Sequence, residues 1–531
     1  MIYLVAALAL SIGLNRAGIA SRYSDPVSHL RAQDEAIYAN SATGLAERGG
    51  WLTPKVMGRF LLFKPPLLVW LAGASLKLFG ISLWALRLPV VLAAAGATTL
   101  MFYWFGGWRD ARSWAVFLLL LSNPLWHIFA RLCYTDMLLA ASFAGALFCL
   151  HRDPQLASRR MWIGFAAAAS AGIMAKNIGG LLALLTLLLY TILAAARGGQ
   201  RPTGVRILQL CGIVMLLTAP WHLYQWMVHR EWFWADYIGV QILGFGIKPP
   251  AQNALEGQVG FYAGRLAQVD PVLVLLFLAG LPALLHQAWK KRDQGAMLLI
   301  SWLVVMISAL LAFRFRNLPY AVSLIPVLCL IAARILNRRA WIFALCAVFV
   351  VKGAFPDRAW GLPFSAPPPI PEAKALRDYW QRGRPNELVL VSPADEFYSF
   401  NLPGLKVHYC FYDPAGLVSK YAPHYVYLGI TLTTEQFLQV DRLRPEYERR
   451  LGAWGLPSGD PIASAIVVNS EDEVQRLVKA LPGTDFELPE IWAGKDGTRD
   501  RYPASPGRVF LLARNPPGTR TVQRLSLPES W

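Results

Sequence analysis

Charge is scarce in this chain. Only 16% of its 531 residues are Asp, Glu, Lys or Arg, while 55% are hydrophobic. The apolar runs recur through the first 355 residues instead of collecting in one core. A soluble chain of this length reads as two to four domains; recurring runs of this kind exclude that and indicate a polytopic α-helical membrane protein. Cysteine is sparser still. Of the six, Cys133, Cys149, Cys211, Cys329 and Cys346 lie in or beside apolar runs and only Cys410 belongs to the polar last third. No disulfide can therefore form within that part, and no Cys-x-x-Cys metal spacing occurs anywhere. Carboxylates are outnumbered, 33 against 51 Lys and Arg, for a formal charge of +18. The basic residues are spread over short links between apolar runs, which fits cytoplasmic anchoring and contact with anionic lipid phosphates, not nucleic acid.

What is present is a regular alternation of spans and links. The first 14 residues are apolar but lack a basic leader and a small-residue cleavage site, so they read as an uncleaved first span over about residues 2 to 20. The segment from Pro65 to Gly80 is too short to cross, since crossing takes roughly 20 residues, and reads as an interfacial amphipathic helix. From Arg87 onward, spans are expected at 87–106, 113–130, 137–150, 161–175, 179–196, 207–227, 272–287, 296–313, 320–335 and 341–355. That gives about 11 spans in residues 1–355, with a first extracytoplasmic loop over 21–86. Every second link is basic. The other links carry Asp34, Asp136, Lys176, the aromatic segment 221–265 and the stretch Arg314 to Pro319, so the chemistry-bearing residues converge on the face opposite the cytoplasm.

With an odd span count the tail also falls outside. Residues 356–371 form a proline-rich linker, and 372–531 read as a soluble α/β domain. Its strand-like runs are 387–392, 406–412, 424–430, 463–469 and 508–513, with helical stretches at 371–383, 433–451 and 470–481. The tail carries no catalytic signature, and the chain has no internal repeat.

Several groups can carry chemistry. Asp34 and Glu35 are adjacent, so on a helix they point about 100° apart and only one enters a given site; one suits a general base, and the other a helix cap or a solvated position. Thr135-Asp136 offers a second carboxylate, or an N-terminal cap. Lys64 precedes Pro65-Pro66 and is held extended, a fixed cation suited to a phosphate. Lys176 interrupts an apolar stretch and either snorkels or meets an anion. Trp221, His222, His229, Trp232, Phe233, Trp234 and Tyr237 make an aromatic segment fit for a membrane belt or for stacking on a sugar or isoprenoid.

In order, Asp34-Glu35-x-x-Tyr38-Ala39, Gly50-Trp51-Leu52-Thr53-Pro54, Lys64-Pro65-Pro66-Leu67, Lys77-Leu78-Phe79-Gly80 and Arg87-Leu88-Pro89 resemble the first loop of bacterial GT-C glycosyltransferases. The nearest groups are the aminoarabinose transferases of lipid A modification and the protein mannosyltransferases. Thr135-Asp136, Lys176, Ala219-Pro220-Trp221 and Tyr320 continue the resemblance, which covers about residues 1 to 340. It implies a bacterial inner-membrane enzyme that takes a sugar from a polyprenyl-phosphate carrier and transfers it, with inversion, to a lipid, glycan or protein acceptor outside the cytoplasm. By the same resemblance Asp34 and Asp136 are catalytic, Lys64, Lys176 and Tyr320 bind the carrier phosphate, and Glu35, Tyr38, Trp221 and His222 support them. No cofactor and no metal is expected. Relatives in the aminoarabinose branch often carry Arg where Ile37 stands, Glu where Phe63 stands and a His-x-x-x-Arg type segment at 239–245, which argues against an aminoarabinose donor. Two other classes compete. A transporter or flippase needs ionisable groups or broken helices at a midplane site, and a receptor-like protein would bind through the tail and leave the first-loop carboxylates dispensable.

Overall fold

The computed structural model describes residues 2–16, 32–56, 59–247 and 257–354, together with six strands between 387 and 514. Its helices are α1 (Ile2–Asn15), α2 (Ala32–Arg48), α3 (Leu67–Phe79), α4 (Leu83–Phe102), α5 (Ala111–Ser122), α6 (Pro124–Phe129), α7 (Thr135–Arg152) and α8 (Arg159–Lys176). They continue with α9 (Leu182–Ala196), α10 (Gly204–His229), α11 (Glu231–Trp234), α12 (Gln258–Val269), α13 (Pro271–Trp289), α14 (Gln294–Ala312), α15 (Ile325–Ala333) and α16 (Ala340–Ala354). A two-stranded hairpin, β1 (Lys55–Val56) with β2 (Arg59–Phe60), lies between α2 and α3.

The described chain is mostly helical. Among the described residues five segments are long and apolar enough to cross a membrane, and five further apolar helices are shorter. Along α10, Leu208, Met215, Leu216 and Met227 are about 70% exposed, the outward apolar face expected of a helix solvated by lipid. Helix starts follow local chemistry. The side chain of Ser82 accepts from the Ala85 amide at α4, that of Thr203 from Arg206 at α10, and that of Asp270 from Leu273 at α13, where Pro271 occupies the first helical position.

Four expected spans have a different form. The span expected at 113–130 is broken into α5 and α6, because Asn123 accepts from the Trp126 amide and Pro124 cannot continue the preceding hydrogen-bond ladder. Arg87 does not mark a boundary; α4 begins at Leu83 and carries Arg87 fully buried inside it. The pair expected at 161–175 and 179–196 is joined by a 3₁₀ turn, Asn177–Leu181, entered through Asn177 at φ +41°. That turn doubles back on α8: a Cβ on Gly180 would sit 2.1 Å from the Ile173 nitrogen, so only glycine fits. A second 3₁₀ turn, Leu318–Leu324, leads into α15, and a π-helical segment, Ala235–Ile247, follows α11.

In the last third the described strands are β3 (Glu387–Val391), β4 (Lys406–Tyr412), β5 (Thr431–Leu432), β6 (Ala463–Val468), β7 (Phe486–Glu487) and β8 (Phe510–Arg514). They form one mixed sheet in the order β5-β4-β3-β6-β8-β7, parallel from β5 to β6 and antiparallel at β6–β8 and β8–β7. The proline-rich linker, the run 424–430 and the three helical stretches expected in the tail lie outside the described residues.

Candidate active site

The first turn of α2 separates its two carboxylates. Glu35 is fully buried and receives Arg87 bidentately, Nε at 2.8 Å and a terminal nitrogen at 3.0 Å, with the Cys133 amide donating to the same carboxylate at 2.9 Å. Asp34 is half-buried and, among the described residues, makes no hydrogen bond or ion pair. One helical turn further, Tyr38 is 2% exposed and accepts a 2.8 Å hydrogen bond from the Lys64 ammonium. Burial pushes the Tyr38 phenol up to about 12, against the lowering pull of Lys64, so it stays neutral. On Lys64 burial acts against the charge, but Tyr38, Asp34 and Tyr320 outweigh it and the pKa is raised. Lys64 is therefore a cation throughout the neutral range.

Asp136 stands in the first turn of α7, whose N-cap position is the extended Tyr134. It does not cap the helix. Its carboxylate pairs with Lys176, the last residue of α8, and the Lys176 ammonium lies 4.1 Å from the Tyr320 ring centroid. The break at Asn177 leaves that lysine at the end of its helix, facing inward, with 14% of its side chain exposed. Lys64, Asp136, Lys176 and Tyr320 line one cavity of about 300 Å³, whose other walls include Leu139, Ile178, Leu182, Met306, Leu310 and Phe313. The structure thus gathers four of the five residues expected to carry chemistry. Asp34 does not line the cavity but acts electrostatically on Lys64 and Tyr38.

Other expected residues serve the walls. Trp221 donates from its indole to the Leu52 carbonyl at 2.9 Å, and Gln225 donates to the same oxygen at 2.7 Å and accepts from Thr53 at 3.0 Å. His222 is held between the Thr218 carbonyl and the Tyr237 hydroxyl, both at 2.8 Å. This aromatic group fixes the Gly50–Pro54 stretch against α10 and is not part of the cavity lining. Ile37 and Phe63 are buried among core side chains. Two lining residues escaped the sequence reading, Asn177 and Gln241. Each is an amide inside an apolar run, and that was the available signal. Among the described residues no group of three or more His, Cys, Asp and Glu is placed to hold a metal ion.

Residues 63–224 match the family described as dolichyl-phosphate-mannose-protein mannosyltransferase. A protein of Yersinia enterocolitica, undecaprenyl phosphate-alpha-4-amino-4-deoxy-L-arabinose arabinosyl transferase, is 25% identical over 287 residues, 51% of this chain and 49% of its own. An uncharacterized protein of Aquifex aeolicus is 25% identical over 211 residues, 39% of this chain and 41% of its own. The matched region thus spans about half the length of these curated relatives or less. Among solved structures, ArnT from Cupriavidus metallidurans bound to undecaprenyl phosphate superposes with a TM-score of 0.65 at 17% identity, covering 98% of this chain and 99% of that one. The apo form gives 0.63 at 18% identity, with 99% of each chain covered. At this identity the likeness is one of fold.

Proposed function

Starting from a chain that carries the GT-C fold and resembles the polyprenyl-phosphate-dependent glycosyltransferases, we propose that it is an inverting sugar transferase. It acts in a bacterial inner membrane, and its acceptor is a lipid, glycan or protein outside the cytoplasm. The observation that carries this reading is the cavity itself, which sets Lys64, Lys176, Tyr320 and Asp136 among mainly apolar side chains. That pairing suits an amphiphile with an anionic head and a hydrocarbon tail, and the volume is within the range for a small-molecule site. Lys64, Lys176 and Tyr320 receive the carrier phosphate. In the transfer the acceptor oxygen attacks the anomeric carbon, the bond from that carbon to the phosphate oxygen breaks, and its electron pair stays on the phosphate. Cations held at that oxygen stabilise the leaving charge in a water-poor site.

Asp34 takes the acceptor's proton. Among the described residues it makes no hydrogen bond or ion pair, whereas Glu35 is bound to Arg87 and Asp136 to Lys176, and a general base needs a free lone pair. Asp136 orients Lys176. The soluble tail, also assigned to the outer face, is a candidate for acceptor binding.

The test is transfer of radiolabel from a polyprenyl-phosphate sugar by the purified full-length chain in detergent. Asp34→Asn should lower the rate by about 10³-fold, within the range for loss of a general base, and leave carrier binding unchanged. Near-wild-type turnover in that variant would remove Asp34 from the chemistry. Net movement of intact carrier lipid without transfer would favour a flippase instead.

A further inference from the structure

We propose that Glu35 is the positioning residue of this site, setting the first turn of α2 against the segment that leads into α7. Three pieces of chain meet on its carboxylate: α2 itself, α4 through Arg87, and the stretch 131–134 through the Cys133 amide, at 2.8 to 3.0 Å. Asp34 precedes Glu35 directly, and Asp136 lies three residues beyond Cys133. Glu35 is therefore a single bonded point between the two carboxylates assigned to the chemistry. Tyr38 and Tyr134 meet edge to face at 6.4 Å on the same side of this junction, and Tyr38 carries the hydrogen bond from Lys64.

Stability does not account for the arrangement. Both Glu35 and Arg87 are 0% exposed, and a fully buried ion pair recovers little more than its own desolvation cost. What it supplies is direction, because a guanidinium fork on a carboxylate fixes distance and angle together. The stretch that needs direction is the one before Asp136: it is outside any helix, and its Cys133 amide is held by Glu35 and not by a backbone carbonyl. A displacement of about 1 Å at a reacting group costs about 10²-fold in rate, so a loose second loop is expressed in turnover before it is expressed in folding.

The experiment uses the full-length chain in detergent and two variants. Glu35→Met combined with Arg87→Met removes both charges, so neither is left buried alone. Glu35→Gln keeps an oxygen for the Cys133 amide but leaves Arg87 without its counter-ion, so its melting temperature is expected to fall. Melting temperature, kcat, KM and the affinity for sugar-free polyprenyl monophosphate are measured for each. The double variant is expected to melt at or above the wild-type temperature, bind polyprenyl monophosphate as the wild type does, and lose about 10²-fold in kcat. Glu35→Gln is expected to lose about tenfold, the worth of one charge-assisted hydrogen bond, with KM unchanged. A folded double variant with wild-type kcat overturns the inference, and so does a KM that rises, or a carrier affinity that falls, as far as kcat falls. Should the double variant fail to fold, Glu35→Gln decides alone, and wild-type kcat there is the overturning result. The inference rests on the transfer reading above, and the two fail apart. A wild-type chain that moves no sugar overturns both, whereas wild-type transfer with equally active variants overturns this one only.

Discussion

Two lysine–aspartate pairs are built into the helical part of this chain, and they differ in what else touches them. Asp270 at the start of α13 meets Lys352 of α16 at 2.8 Å, and both are 3% exposed. Asp270 also accepts from the Asn123 side chain at 3.0 Å and the Leu273 amide at 3.1 Å, while Lys352 donates to the Ser122 carbonyl at 3.0 Å. Both members of that pair are bonded to further groups, and the pair ties α13 and α16 to the break between α5 and α6. Asp136 and Lys176, by contrast, line a cavity together with Lys64 and Tyr320, and the Lys176 ammonium lies against the Tyr320 ring. The same two functional groups therefore make a clamp in one place and, on the proposed reading, a receptor for an anion in the other. Satisfaction, not burial, separates them.

One substitution applied to both aspartates breaks the comparison most sharply. Asp270→Ala strands a buried ammonium and should cost about 3–5 kcal/mol, read as a large drop in melting temperature in detergent, while the molecules that remain folded transfer sugar at the normal rate. Asp136→Ala leaves Lys176 beside a cavity that admits water and anion, so melting should change little and transfer should fall by about 10²-fold. Equal effects of the two substitutions on melting would show that the cavity pair is also a clamp.

The cavity side of this contrast was legible in the sequence, for a physical reason. Ionisable residues are expensive beside hydrocarbon, so Asp34, Lys64, Asp136 and Lys176 stood out against their apolar surroundings, and four of the five principal site residues do converge. What the sequence could not convey is pairing. Asp34 and Glu35 are identical in kind and adjacent, and only the fold sends one to Arg87 and leaves the other unbonded. Arg87 itself read as the first residue of a span because most arginines next to apolar runs mark their ends. Asn123-Pro124 looked like part of one span, since hydropathy averages over a break. Trp221 and His222 looked fit to stack on a ligand, and their hydrogen bonds to Leu52, Thr218 and Tyr237 are tertiary facts with no local signature.

A smaller effect sharpens the division of labour within the cavity. Lys64 is bonded to a neutral phenol, not to a carboxylate, so its charge is available to the carrier without first displacing a counter-ion. Lys64→Ala should therefore weaken binding of polyprenyl monophosphate by roughly ten- to a hundredfold, the loss of a hydrogen bond to a charged group, with melting nearly unchanged. Lys176→Ala serves as the reference, and it should weaken binding less, because Lys176 must exchange Asp136 for phosphate. The opposite ranking would make Lys176 the principal anion contact.

The smallest expected effect is a null one, and it tests the electrostatics directly. Burial works against the Lys64 cation, but Tyr38, Asp34 and Tyr320 raise its pKa above the ordinary lysine value, while Tyr38 is pushed up to about 12 chiefly by burial. For a lysine whose folded pKa is raised, the contribution to stability is fully present below the unfolded value, about 10.4, and is lost only as pH climbs through the higher folded one. Neither group then titrates between about pH 6 and pH 9, and affinity for polyprenyl monophosphate should carry no Lys64 or Tyr38 step across that window, any change at its acid end belonging to the lipid's own second ionisation near pH 6, as for other phosphate monoesters. A decline that sets in between pH 7 and pH 9 would mean that desolvation outweighs the surrounding groups and that Lys64 is losing its proton there. Asp34→Asn makes the attribution specific: with that anion gone the Lys64 pKa must fall, so the alkaline loss of binding should begin at lower pH than in the wild type. If the two curves coincide, Asp34 is too far from Lys64, or too well hydrated, to act on it, and the carboxylate and the cation are then independent parts of the site.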